Sequence, residues 1–191
     1  MRTRLQQRTA EILAAPRPAP DPVEREREKA VVHECRYLMR LLADRRRSRG
    51  EMESRLRDRE VPGAIAHEAL SRIDRAGLID DDAFAAAWVD QRRELRSLAD
   101  DALRRELRDR HVAEDVIDRA LARGENSEEQ RCRQLLRERL RSERSALAAA
   151  QDSATRARLA RRLDGYLRRR GYPAPLVGRV VSGELLAATG R

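Results

Sequence analysis

The chain has 191 residues and carries 42 basic against 33 acidic side chains, a net charge of +9. Charged residues make up 39% of it and aromatics only 3%, a balance that excludes a sheet-rich core, which needs more β-branched and aromatic side chains. No stretch approaches the roughly 20 consecutive apolar residues of a membrane-spanning helix, and the N-terminus has positive charge without the apolar run of a secretory signal.

Residues 1–22, "MRTRLQQRTAEILAAPRPAPDP", divide into a short amphipathic helix over residues 3–15 and an extended proline-rich linker. This segment is expected to be a mobile extension. A helix from about Glu24 to Ala43 follows, showing Tyr37, Leu38, Leu41 and Leu42 on one side. "SRGE" at 48–51 has the Ser-x-x-Glu spacing of a capping box and opens a second helix through Met52 and Leu56. A turn then leads into a third helix, with Pro62 in its first turn and an apolar stripe of Ile65, Ala66, Ala69, Leu70 and Ile73. Gly77 stops that helix, and Leu78 and Ile79 are expected to pack back.

The same order then repeats. A helix over roughly Asp82–Arg96 shows Phe84, Ala87, Trp88, Val89 and Leu95, and one over about Ser127–Leu147 shows Leu135, Leu136 and Leu140. Behind each comes a helix–turn–helix pair. Met52, Leu56, Val61, Ile65 and Leu70 shifted by 51 residues become Leu103, Leu107, Val112, Val116 and Leu121. Shifted by 60 more they become Leu163, Leu167, Tyr172, Leu176 and Val181, so all fifteen slots are apolar. "LRDR" at 56–59 recurs letter for letter at 107–110, and Trp88 lies 51 residues after Tyr37. Gly124 and Gly171 mark further helix ends, with Pro173 in the first turn of the last helix. At the turn, Gly171 has Glu60 and His111 as its counterparts. Those turns either avoid a left-handed residue or bear its cost of about 1 kcal/mol.

The expected fold is therefore all-α: three tandem three-helix repeats forming an elongated, curved body. The expected boundaries are 1–22 for the extension, 23–79, 80–124 and 125–187 for the repeats, and 188–191 for a frayed tail.

Chemistry has few candidates. Asp80, Asp81 and Asp82 fall at the N-cap and first turn of a helix, where aspartate accepts orphan backbone N–H groups and opposes the positive helix end. A magnesium site would need a further convergent carboxylate or a phosphate ligand. His33, Glu34 and Cys35 are consecutive helix residues, which point about 100° apart and cannot converge. His67 and His111 stand alone. No nucleophile elbow, dinucleotide fingerprint or phosphate loop occurs, so no catalysis, cofactor or metal is expected. Cys35 and Cys132 are too few for a four-ligand metal site, and the simplest reading is a reduced, cytoplasmic protein.

The arginines remain. Lys29 is the only lysine, so 41 of the 42 basic residues are arginine, whose planar fork suits phosphates and carboxylates. Most alternate with acids on solvated helix faces. The runs "RRRSR" (45–49) and "RRR" (168–170) contain no acid within them. They make Arg45, Arg46, Arg47, Arg49, Arg55, Arg59, Arg168, Arg169 and Arg170 the candidate contacts for a polyanion or an acidic protein surface. Phe84 and Trp88 are expected in the core rather than as stacking platforms. Direct DNA binding would thus run through the backbone and ignore sequence.

"RRRSRGEMESRL" followed by "ALSRIDRAGLIDDDAFAAAWVDQR" resembles the RecX family of bacterial regulatory proteins. The likeness spans about residues 30–187. It is most specific at Arg47-Ser48 with Glu51-Met52, and at Gly77-Leu78-Ile79-Asp80-Asp81 with Phe84-Ala85 and Trp88. "YLRRRGYPAPLVGRVV" is similar to the family's closing repeat. The resemblance implies a protein that binds the RecA recombinase filament on single-stranded DNA, in DNA repair and the SOS response; a monomer is the default expectation. It also implies inhibition of that filament's ATP hydrolysis, strand exchange and co-protease activity. The alternative from the residues alone is a sequence-independent basic DNA-binding protein that acts without RecA.

Overall fold

Residues 21–143 and 152–188 are described in the computed structural model. The expected helix at 3–15, most of the proline-rich linker, the stretch 144–147 and residues 189–191 lie outside them. Among the described residues there are nine helices and no strand: α1 (Pro22–Asp44), α2 (Arg49–Asp58), α3 (Gly63–Arg75), α4 (Asp81–Arg96), α5 (Asp100–Arg108), α6 (Glu114–Leu121), α7 (Glu128–Ser142), α8 (Ser153–Arg168) and α9 (Ala174–Ala188). No described helix is long and apolar enough to cross a membrane.

The helices form three groups of three, each closing over its own small apolar cluster. In the first, Val31 and Leu38 of α1 meet Met52 and Leu56 of α2 and Ala69, Leu70 and Ile73 of α3. In the second, Phe84, Ala85 and Val89 of α4 meet Leu103 and Leu107 of α5 and Val116, Ile117 and Leu121 of α6. In the third, Cys132, Leu135 and Leu136 of α7 meet Leu159, Leu163 and Leu167 of α8 and Leu176, Val177, Val180 and Val181 of α9. Of the fifteen repeated apolar slots, only Val61 and Ile65 are half-buried rather than buried. Three apolar residues read as packing inward do not: Leu78, Ala87 and Leu95 are exposed. The Gly77 turn holds its chain by backbone bonds, Leu78 N–H to Ile73 O at 3.1 Å, and Ile79 alone supplies the apolar anchor.

Helix starts follow the sequence. Asp21 caps α1 through Val23 N–H at 2.9 Å, and Asp80 caps α4 through Ala83 N–H at 2.8 Å. Ser48 and Glu51 form the expected capping box, and Ser127 with Gln130 forms a second one. Pro62 and Pro173 sit one residue earlier than expected, just before α3 and α9. There their carbonyls accept from Ala66 N–H at 3.0 Å and Val177 N–H at 2.9 Å, so proline still gives up no needed donor.

The turn after the second helix of each unit is the same structure three times. Val61 N–H reaches Leu56 O at 3.1 Å, Val112 N–H reaches Leu107 O at 3.1 Å, and Tyr172 N–H reaches Leu167 O at 3.4 Å. In each, the preceding residue is left-handed: Glu60 and His111 at φ 56°, Gly171 at φ 94°. The first two turns tolerate a side chain there rather than avoiding the conformation.

These turns join the units. The N-terminus of α2 docks on the α5–α6 turn: Ser48 Oγ donates to Arg110 O, and Arg49 N–H donates to Asp81 Oδ1 at 2.7 Å. The N-terminus of α5 docks on the α8–α9 turn in the same way. Ala99 N–H donates to Arg170 O at 2.9 Å, and Asp100 N–H donates to Glu128 Oε1 at 2.9 Å. Each joint needs one glycine for the close approach. A Cβ on Gly50 would run into the backbone of His111, and one on Gly171 would lie 2.6 Å from the Cβ of Ala102. The ends differ. The position matching Asp81 in the first unit is Ala30, inside an α1 that starts eight residues earlier, at Pro22. The position matching Asp100 in the third unit is Ala160, seven residues inside α8, so no free helix end is offered there.

Two substitutions test this geometry by urea denaturation. Glu60→Gly relieves a left-handed residue worth about 1–2 kcal/mol against about 0.5–1 kcal/mol of added chain entropy, so it is expected to stabilise by about 0.5–1 kcal/mol. Gly171→Ala adds both backbone strain and the Ala102 collision, and is expected to cost about 2 kcal/mol or more.

Candidate partner-binding surface

The acidic triplet is a structural joint. Asp80 caps α4. Asp81 crosses to the first unit and holds Arg49 N–H, and Asp82 pairs with Arg119 of α6 at 2.9 Å. Among the described residues no group of three His, Cys, Asp or Glu side chains is placed to hold a metal ion. His33 lies 3.8 Å from Glu34, which is itself buried against Arg59, and Cys35 Sγ faces Ala69 O. Cys132 is buried, and burial pushes its thiol up to about 11, far from a reactive thiolate.

The arginine runs do not stand free as a group. Along the chain Asp44 adjoins "RRRSR", and the fold brings further acids to it. Arg45 pairs with Glu51 at 2.7 Å and Arg49 with Asp74 at 3.0 Å. Arg47 is buried, with Nε donating to Leu41 O at 3.1 Å and Nη2 reaching Asp44, so it packs the α1–α2 corner instead of facing a partner. Arg59 pairs with Glu34 and lies over the Tyr37 ring at 4.2 Å. Arg168 approaches Asp164 at 3.9 Å, and Arg170 donates to Tyr166 O and stacks on that ring at 3.8 Å. Of the nine nominated arginines, Arg46, Arg55 and Arg169 are exposed and make no ion pair among the described residues.

The stacked arginines form a pattern that was readable but missed. Arg59, Arg110 and Arg170 occupy the same slot, one residue before each left-handed turn, and each lies over an aromatic ring. For Arg110 the ring is Trp88, the residue 51 positions after Tyr37. In the third unit the ring is Tyr166, from α8 itself.

Around Trp88 the first and second units build one surface. Its indole N–H donates to Glu106 Oε2 at 2.8 Å, and Arg92 reaches the same oxygen at 2.9 Å while lying 4.0 Å over the ring. Arg110, on the ring at 3.8 Å, also reaches Glu51 Oε1 at 3.1 Å, the oxygen that Arg45 holds. Burial pushes the Glu51 carboxyl up, but the Arg45, Ser48 N–H and Arg110 bonds outweigh it and hold Glu51 below its ordinary value. Trp88 is half-buried at the rim, not sealed in the core, and a cavity of about 490 Å³ opens beside it. Phe84, Ala87 and Trp88 floor this cavity, and Arg45, Arg46 and Arg110 edge it.

Tandem three-helix units with a basic, part-apolar groove between the first two define a helical-repeat binding protein. The comparisons give its family. The model of the first three-helix domain of RecX matches residues 36–72, and that of the second matches residues 80–121. A regulatory protein RecX from Mycolicibacterium vanbaalenii is 40% identical over 167 residues, covering 86% of this chain and 90% of that one. One from Thermobifida fusca is 43% identical over 151 residues, covering 78% and 77%. The crystal structure of RecX from Lactobacillus salivarius superposes with a TM-score of 0.64 at 12% identity, over 82% of this chain and 97% of that one, which is a likeness of fold. The chain belongs to the RecX family, a family of regulatory proteins and not a class of enzymes.

The inter-unit carboxylates give a signed prediction. Burial raises Asp81 and Glu128 above their ordinary values, against the opposing bonds from the Arg49 and Asp100 N–H groups. A raised carboxyl contributes stability below its unfolded value and loses it as pH rises, so at pH 7 the Asp81 charge is a cost. Asp81→Asn keeps an acceptor oxygen and is expected to match or exceed the parent in urea denaturation at pH 7. Asp81→Ala strands the Arg49 N–H and is expected to lose about 1–2 kcal/mol. Glu51 has the opposite sign: its contribution is present above its unfolded value and is lost as pH falls through its lowered one.

Proposed function

We propose that this chain regulates the RecA recombinase, binding its filament on single-stranded DNA and inhibiting ATP hydrolysis, strand exchange and co-protease activity without catalysis of its own. The observation that carries the reading is family membership: relatives about 40% identical over most of their length are named regulatory protein RecX. Two further features support it. The net charge of +9 suits a polyanionic assembly. Exposed arginines without ion pairs occur on the first unit, at Arg46 and Arg55, and on the third, at Arg169, which suits an extended contact. A contact carried by arginines is electrostatic and salt-sensitive.

In this reading Arg46, Arg55 and Arg169 meet the partner. Arg45, Arg49, Arg59 and Arg170 act mainly by holding the surface in shape. Work in DNA repair and the SOS response, in the cytoplasm and as a monomer, follows from the same proposal.

The test is RecA's DNA-dependent ATP hydrolysis titrated with the purified protein. Inhibition at substoichiometric protein that excess single-stranded DNA does not relieve is the expected result. Replacing Arg46, Arg55 and Arg169 together by Glu is expected to raise the inhibitory concentration at least about tenfold, with the helical circular-dichroism signal unchanged. Inhibition only at DNA-coating concentrations, abolished by added DNA, would instead make this a plain DNA-binding protein.

A further inference from the structure

We propose that the groove between the first and second units is a docking site for an acidic peptide segment that carries an apolar side chain. The proposal rests on the reading above that the partner is a protein filament, and it names the part of that partner this groove takes.

Three observations carry it. The first is composition. The floor of Phe84, Ala87 and Trp88 is apolar, and the edge of Arg45, Arg46 and Arg110 is cationic. Glu51 balances one of these charges by sharing its carboxylate between Arg45 and Arg110, and Arg46 makes no ion pair among the described residues. The groove therefore keeps an excess of positive charge over an apolar floor. Carboxylates match guanidinium forks, and an apolar side chain between them removes from water the part of the floor still exposed, on Ala87 and half-buried Trp88.

The second is the state of Trp88. Two guanidiniums, Arg92 and Arg110, already lie over its ring at 4.0 and 3.8 Å, and its N–H is donated to Glu106. A nucleobase needs an open aromatic face to stack on. Phe84 is buried and packs on Trp88 with ring centroids 6.0 Å apart, so it offers no alternative platform. The groove is thus poorly made for bases and well made for carboxylates.

The third is placement. The α1–α2 corner supplies Arg45 and Arg46, α4 supplies the floor, and the α5–α6 turn supplies Arg110. Two units meet there through a joint that fixes their separation, so the site is preorganised and a bound segment loses little to reordering it. The volume of about 490 Å³ lies within the usual range for a pocket and suits a few side chains.

Trp88 is the only tryptophan, so its fluorescence reports this groove directly. The probe is a short synthetic peptide of Asp and Glu around one central Leu. It is titrated into the intact protein without RecA, beside the same peptide with Ser in place of Leu and beside oligo-dT. The expected result is a saturable change in Trp88 emission with the Leu peptide, at least tenfold weaker with the Ser peptide. Arg46→Glu should weaken it at least tenfold, whereas Arg158→Glu, exposed on α8 outside the groove, should leave it unchanged.

No change in Trp88 emission with the Leu peptide overturns the proposal, even if the protein inhibits RecA. A stronger change with oligo-dT that Arg46→Glu abolishes overturns it in favour of a nucleic-acid strand. Peptide binding as expected, with no inhibition of RecA, would keep the docking site and remove the regulatory reading.

Discussion

The structure depends on one constraint: a helix N-terminus must come within backbone contact of the next unit's left-handed turn. Each unit buries only a small cluster, and three such clusters do not make a large common core. What connects them is a joint of two hydrogen bonds and one close approach, made twice with different residues. In the first, a serine hydroxyl reaches a carbonyl and an aspartate takes the next N–H. In the second, a backbone N–H reaches the matching carbonyl and a glutamate takes the next one. The glycine changes sides, from Gly50 on the docking helix to Gly171 on the receiving turn. The geometry is kept while the side chains that build it are exchanged.

The same joint explains the fate of the arginines. Bringing units together brings acids to arginines that look unpaired along the chain, so Arg45 and Arg110 meet at Glu51, and Arg93 and Arg131 meet at Asp100. A half-buried pair of this kind gives back much of its attraction as desolvation cost. Its larger effect is on position, since a guanidinium held by a carboxylate stays over its ring and keeps the groove open. The charge left for a partner is therefore smaller than the composition suggests, and it is spread over exposed arginines of all three units, such as Arg46, Arg105 and Arg158.

Much of the fold was legible in the sequence. The apolar slots at offsets of 51 and 60, the Ser48–Glu51 box and the glycine stops locate the three helix triples, because they depend on local periodicity and capping. The site was legible only in part. Arg47 reads like its neighbours but turns into the α1–α2 corner, where a carbonyl bond decides its direction. Ala99 has no capping side chain, and α5 is instead capped in trans by Glu128, a contact 28 residues away that no local pattern encodes. The Trp88 groove is hidden in the sequence because an aromatic residue at that helix position reads as core, whereas the fold leaves it half-buried. The shared slot of Arg59 and Arg110, visible in the repeated "LRDR", was the available signal.

The central claim is that the joints make one body of the units and that this body is the regulator. The most direct measurement is RecA ATP hydrolysis titrated with the Gly50→Ala protein, whose added Cβ cannot fit against His111 and must part the first two units. The account predicts that inhibition is lost or weakened at least about tenfold while the helical circular-dichroism signal remains, because the contact surface is split between the units. Inhibition equal to the parent's, with the Arg49 amide shown by hydrogen exchange to have lost its protection, would contradict it.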